Sequence, residues 1–414
     1  MAAPDAPLPA PAGSNRLPLI FILLTVMIDS MGIGLIIPVM PNLIEEVTGG
    51  GLSQAAIWGG ILTTVFAVMQ FLFGPTLGSL SDRVGRRPVL LASLGFLALD
   101  YLLMAVAGTI WLLLVGRIIG GITAATTSVA SAYIADISRP EEKAARFGLV
   151  GAAFGLGFVI GPLLGGLLSE FGTRAPFYAA AALAAVNMVF GFFVLPETLR
   201  PENRRPFDWR RANPLGAFAA VNALPEVRRP LLIFFVYSVA FWVYPSVWAY
   251  YTQASFGWDP AMVGLSLAGF GIALAVVQGG LIRVILRVLG DRGTVLYGIV
   301  FYTVVFGVLA FLTNGTAALI LTPLSALGAV VTPALQGIMS RAVPDNAQGE
   351  LQGVLASVNA VSMIFSPLLM TQVFAAFTAP DAPVWFPGAP FLLSMGLMLV
   401  CLAIHVAKPR AAVA

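Results

Sequence analysis

The chain has 414 residues, 59% of them hydrophobic and only 10% charged, with one cysteine, one histidine and a net charge of +3. So little charge over such a length excludes an ordinary soluble enzyme, and the small positive excess does not make a nucleic-acid surface. Cys401 stands alone, so an intramolecular disulfide is excluded as well.

Residues 1–16 are rich in Pro and Ala and are expected to form a disordered tail; they lack the charged region and cleavage site of a signal peptide. Beyond them, apolar runs of about 20 residues recur, each enough to cross a hydrocarbon core of roughly 30 Å. Twelve are expected, near 17–40, 57–77, 88–107, 110–134, 147–169, 175–195, 230–251, 261–282, 294–312, 316–340, 351–376 and 385–407. The fold class is therefore an all-α membrane protein. The hydrophilic stretch 196–229 divides it into a first bundle, 17–195, and a second, 230–407, followed by a short tail, 408–414. Gly85-Arg86-Arg87-Pro88 after the second span is echoed by Gly290-Asp291-Arg292-Gly293 after the eighth, so two pseudo-symmetric six-helix halves are expected around a central cavity.

With twelve spans, all 22 basic residues except Arg117 and Arg174 fall on the side of the two termini. The excess of Lys and Arg in cytoplasmic loops then predicts both termini inside, in a bacterial inner membrane.

Ionisable side chains in hydrocarbon are costly and call for a partner or a role. Span 1 carries Asp29 and span 3 carries Asp100, each about 18 Å from the cytoplasmic edge. Arg117 in span 4 enters from the opposite side and lies roughly 20 Å from the cytoplasm. One buried layer is expected, serving either proton uptake and release or a permanent lock among spans 1, 3 and 4. Burial favours a neutral carboxyl and a nearby arginine favours an ionised one, so a moving partner makes a proton switch.

Between spans 2 and 3 lies a charged turn containing Gly78, Asp82, Arg83, Gly85, Arg86 and Arg87. Arg86 is placed to bridge Asp82 and Asp136, at the end of span 4, as a cytoplasmic gate; the plainer alternative is a topology anchor. Span 5 carries Gly157, Gly161-Pro162 and Gly165-Gly166, spaced for close helix approach with a bend at the proline. The second half has no Asp, Glu, Lys or Arg at depth. Its candidate substrate contacts are Phe241, Trp242 and Tyr244 on span 7, with Gln278, Gln336 and Asn359; Trp248, Tyr250 and Tyr251 are expected as an interfacial belt. No nucleotide-binding loop and no metal-ligand cluster appears, so drive is expected from a proton gradient rather than ATP.

The turn 78–87 resembles the signature loop of the major facilitator superfamily, and 157–166 resembles the fifth-helix motif of its proton-driven antiporters. Arg117 in Gly116-Arg117-Ile-Ile-Gly120-Gly121 is similar to that family's fourth-helix arginine pattern. Ile28-Asp29 through Pro38, Ala98-Leu-Asp100-Tyr101, 256–269, 333–337 and 348–353 are similar to the tetracycline/proton antiporters of Gram-negative bacteria. The resemblance implies a major facilitator fold and an antiporter that exports a hydrophobic, drug-like compound, tetracycline-type or otherwise polycyclic, in exchange for protons by alternating access. It implies substrate and proton roles for Asp29 and Asp100, and helix 11 as the neighbour of Asp82. Those antiporters have a histidine in helix 8 and an aspartate in helix 9, where this chain reads 271–276 and 301–304 with neither, so a divalent cation travelling with the substrate is left open. Partners are expected to be the small hydrophobic substrate, protons and the bilayer, with the protein a monomer, no nucleic acid and no catalytic residue. Two alternatives remain: a metabolite uptake symporter or uniporter, and a non-transporting receptor on the same fold.

Overall fold

The computed structural model describes residues 17–124, 126–139, 141–199, 201–205, 225–344 and 347–407. The expected tails, 1–16 and 408–414, and most of the 196–229 linker lie outside the described residues. Among the described residues, eleven helices are long and apolar enough to cross a membrane. In chain order they are α1 (Leu17–Ile36), α2 (Leu52–Val84), α3 (Arg86–Val106), α4 (Ile110–Ile137), α5 (Ala145–Phe171), α6 (Ala175–Val194) and α7 (Arg228–Phe256), then Pro260–Phe311, Gly315–Ala342, Gln348–Thr378 and Ala389–Val406.

Pro260–Phe311 is 52 residues long, roughly 78 Å at 1.5 Å per residue, more than two crossings of a hydrocarbon core. It breaks at Gly290, whose φ of 66° and ψ of 175° are not helical. Its arms are numbered α8 (260–289) and α9 (291–311). The last three helices are then α10, α11 and α12, which makes twelve helical arms among the described residues, the number the sequence leads one to expect. The expected eighth and ninth spans are thus joined by one glycine rather than by a loop, because Asp291 and Arg292 continue the helix directly. The first span is shorter than expected: α1 stops at Ile36, and a separate short helix, Met40–Thr48, follows Pro38.

Helix starts are set by side chains that satisfy free backbone N–H groups. Asp259 accepts from the Met262 amide at 2.8 Å just before Pro260, and Asn314 from the Ala317 amide at 3.0 Å. Inside α7, Pro245 has no N–H for the Phe241 carbonyl, and the helix yields at Trp242.

The halves meet along two seams. At α2 and α11, Ser53 Oγ donates to the Ala375 carbonyl at 3.2 Å and Thr64 Oγ1 to that of Ile364 at 3.0 Å. At α5 and α8, Gly166 lies against the Pro260 carbonyl and Ala261 Cα, 2.6 and 2.9 Å from where a Cβ would stand. These contacts sit in the half of the molecule away from the 83–87 turn. Toward the turn, a Cβ at Gly74 or Gly78 of α2, at Gly148, Gly151 or Gly155 of α5, or at Gly279 or Gly280 of α8 would meet nothing within 4 Å. Among the described residues, the two bundles are closed at one end and part toward the basic end.

Candidate functional site: a buried ion pair and a charged turn

Asp100 on α3 is fully buried and Arg117 on α4 is 8% exposed. Arg117 Nη2 donates to Asp100 Oδ2 at 2.5 Å and lies 2.7 Å from the Met104 sulfur. The guanidinium also sits over the Phe66 ring of α2, 5.1 Å from its centroid. Two glycines make room for the carboxylate against the α4 backbone: a Cβ at Gly120 would stand 2.5 Å from Asp100 Oδ2, and one at Gly116 3.0 Å from Oδ1. Asp100 Oδ1 and Arg117 Nε have no hydrogen-bond partner. An ion pair removed from water yet left with open valences is costly, so it marks a place where a proton or another polar group can act.

Asp29 joins this pair through Tyr101. The tyrosine is buried at 3% exposure, its hydroxyl lies at Gly32 on α1, one turn from Asp29, and it is within electrostatic reach of Asp29, Asp100 and Arg117. Asp29 itself is half-buried. The structure therefore brings the three expected charges into one neighbourhood, with Tyr101, Phe66 and Met104 as further members that carry no charge to flag them in the sequence.

The α5 motif supports α1 from behind. A Cβ at Gly161 would meet the Met31 carbonyl and stand 3.1 Å from Gly34 Cα; Gly157 and Gly165 lie as closely on Met27 and Leu35. Pro162 fits against Gly34, its Cδ 2.6 Å from a Cβ placed there. Gly166 turns the other way, onto α8. One glycine-rich helix thus packs on α1, which carries Asp29, and on the opposite half.

At the parted end, Arg86 donates to Asp82 at 2.6 Å, to Asp136 at 3.3 Å and to Ser81 Oγ at 2.6 Å. Gly85, at φ 114°, lets α2 turn into α3 under Glu197. Glu197 was not expected: its carboxylate accepts the Arg86 and Arg87 amides at 2.9 and 3.2 Å, a favourable place for an anion at a helix start. Its only sequence signal is an acid directly after an apolar span. Arg87 Nη2 bonds the Phe192 carbonyl at 2.7 Å, and Arg83 is exposed. Asp82 is held inside its own half by Arg86, and among the described residues no hydrogen bond or ion pair joins it to α11.

The second half repeats this device with the charges exchanged. Asp291, the first residue of α9 after Gly290, is paired with Arg341 near the end of α10. In both halves the partners stand 50 residues apart, but Arg86 and Asp136 have the opposite order of sign to Asp291 and Arg341.

The candidate substrate contacts separate into two sets. Phe241 and Tyr244 belong to an aromatic box: Phe241 stacks on Tyr237 at 5.9 Å, and Tyr244 packs on Phe270 and Phe306, each at 5.7 Å. Trp242 is half-buried at the yielding point of α7. Gln278 is exposed within a π-helical stretch of α8, Val277–Leu281; Asn359 is exposed and Gln336 half-buried. No hydrogen bond among the described residues joins these three to the box. The interfacial belt is corrected: Trp248, Tyr250 and Tyr251 are 0%, 5% and 1% exposed, in the core. Trp248 Nε1 donates to Ser266 Oγ at 2.9 Å and Tyr251 Oη to the Leu309 carbonyl at 2.5 Å, which satisfies their polar ends in the interior rather than at a lipid headgroup.

Over residues 22–367 the sequence matches the Major Facilitator Superfamily. The chain belongs to that family. It is 40% identical to the class C tetracycline resistance protein of Escherichia coli, over 93% of this chain and 95% of that one. To the class G tetracycline resistance protein of Vibrio anguillarum it is 39% identical, over 93% and 96%. The solved structure of a nucleoside transporter superposes with a TM-score of 0.74 over 94% of this chain and 99% of that chain, at 13% identity, so it shares the fold. A major facilitator protein with this many apolar helices is a multi-pass membrane protein of the transporter class.

Proposed function

We propose that this protein exports a hydrophobic polycyclic drug of the tetracycline type across the bacterial inner membrane in exchange for protons. The buried Asp100–Arg117 pair carries the reading, supported by likeness to tetracycline resistance proteins over nearly the whole chain. The basic end, with both termini, faces the cytoplasm. The described conformation, parted at that end, is then the one that receives drug from inside.

Asp100 Oδ1 is the atom to which a proton adds. Protonation cancels the charge that holds Arg117, and the freed guanidinium turns to another acceptor. Asp29, reached through Tyr101, is the second carboxylate of the pathway. Phe241, Trp242, Tyr244, Gln278, Gln336 and Asn359 offer apolar, aromatic and amide contacts to an uncharged ring system. The Asp82–Arg86–Asp136 cluster, already formed within the first half when the cytoplasmic end is open, holds the ends of α2, α3 and α4 together as one piece of the cytoplasmic gate. The protein works as a monomer without a bound cofactor.

The test is exchange in liposomes with an imposed pH gradient. Adding a tetracycline on the drug-accepting side is expected to move protons the opposite way; a drug that crosses without moving protons would overturn the antiport.

A further inference from the structure

The outer end is closed by matched pairs of residues from the two halves. On the short helix Met40–Thr48, Asn42 and Glu45 are three residues apart and share a face; on α7, so do Tyr250 and Gln253. Gln253 Nε2 donates to Asn42 Oδ1 at 2.9 Å. One turn along, Tyr250 Oη is buried beside Gly59 without a hydrogen-bond partner and lies within electrostatic reach of Glu45. The first pair is a completed hydrogen bond, while in the second a half-buried acid stands within electrostatic reach of a buried hydroxyl that lacks one.

Among the described residues no cation is paired with Glu45. Its neighbour Glu46 turns to Arg174 at 3.0 Å, which occupies that guanidinium. Three helices pack on the short helix. α2 brings no ionisable side chain before Asp82 at its far end, the start of α4 brings only Arg117, bonded to Asp100, and α7 brings the tyrosines Tyr244, Tyr250 and Tyr251. With the seam shut, burial pushes the Glu45 carboxyl above the usual carboxylate range.

We propose that Glu45 is a second proton-binding site, at the outer gate, and that binding a proton there closes the outer end. This rests on the exporter reading for its direction and adds a group outside the charged layer of the first half. When the seam opens, water reaches Glu45 fully and its carboxyl returns to the usual carboxylate range. Closing removes part of that water, since Glu45 is half-buried in the shut seam, and this penalises the ionised form and not the neutral one. The neutral carboxyl can then bond Tyr250 Oη. Closure is therefore favoured fully at pH below the ordinary value, and the advantage is lost as pH rises through the raised value. A proton arriving from an acidic exterior shuts the gate behind it and returns the empty transporter inward.

Spin labels at Thr173→Cys and Asp381→Cys, in a Cys401→Ser background, report the spacing of the outer ends without drug or transport. Between about pH 4 and pH 8 the wild-type distances are expected to lengthen as Glu45 ionises. Glu45→Gln, neutral at every pH, should stay short throughout, and Asp100→Asn should keep the Glu45-dependent shift. An unchanged shift in Glu45→Gln, or no shift in the wild type, overturns the proposal. If the shift depends on Glu45 while liposomes show no drug–proton exchange, the exporter reading falls and the gate site stands.

Discussion

The two halves share one helical plan and fill their interiors differently. The first buries an ion pair, Asp100 with Arg117, fitted against glycines of α4. At the corresponding depth the second holds tyrosines and phenylalanines: Tyr237, Phe241, Tyr244, Phe270, Tyr302 and Phe306. A proton needs a group that changes charge in a defined place, whereas a flat hydrophobic ligand needs polarisable surface and a few hydroxyls. The division suggests separate labour, with proton handling in one bundle and drug contact centred on the other. The turns at the parted end differ in a second way, since Arg86–Asp136 and Asp291–Arg341 reverse their signs over an identical spacing.

The largest effect should come from the ion pair. Asp100→Asn leaves Arg117 buried without its counter-charge, where breaking such a pair costs about 3–5 kcal/mol, and it removes the proton site. Coupled export should vanish, measured as drug-driven proton flux, while chromatography still shows a folded monomer. Proton exchange surviving in this variant would erase the contrast between the halves.

Next in size is the close contact of α5 with α1. Gly161→Leu places a branched side chain against the Met31 carbonyl and Gly34, an overpacking expected to cost about 1–3 kcal/mol and to lower the melting temperature. The same change at Gly279, where the structure leaves open space, should leave melting nearly unchanged.

The reversed turns allow a sharper test. Arg86→Asp should slow transport by placing three acids together; adding Asp136→Arg should restore much of it, because the second half already works with that order of sign. The pairs are partly exposed, so each contributes only about 0.2–1 kcal/mol, a change of a few-fold at most. Failure of the exchanged pair to recover would mean that the sign order is itself functional.

An effect on drug affinity alone is expected at Tyr244→Phe. Loss of one hydroxyl, worth about 0.5–1.5 kcal/mol, should raise the apparent KM for drug by up to roughly tenfold and leave the proton count per drug unchanged.

Much of this was legible in the chain. Long apolar runs reveal crossings because length and hydropathy are local properties, and Asp100 and Arg117 could be matched by depth since each stands alone in hydrocarbon. The joined α8 and α9 were not legible: Gly290-Asp291-Arg292 reads as a loop, and only the backbone shows helix resuming at once. Trp248, Tyr250 and Tyr251 were misread because an aromatic helix buried all round has no polar face to give a period. Glu197 escaped because its partners are main-chain amides across a turn, which leave no pattern of residue types.

Proton release on drug binding tests the central claim most directly, measured by calorimetry in buffers of different ionisation enthalpy for wild type, Asp29→Asn and Asp100→Asn. The wild type should exchange a proton when drug binds, and Asp100→Asn should bind drug with that exchange abolished. An Asp100→Asn protein that exchanges as many protons as the wild type would contradict the assignment of proton handling to the buried pair of the first half.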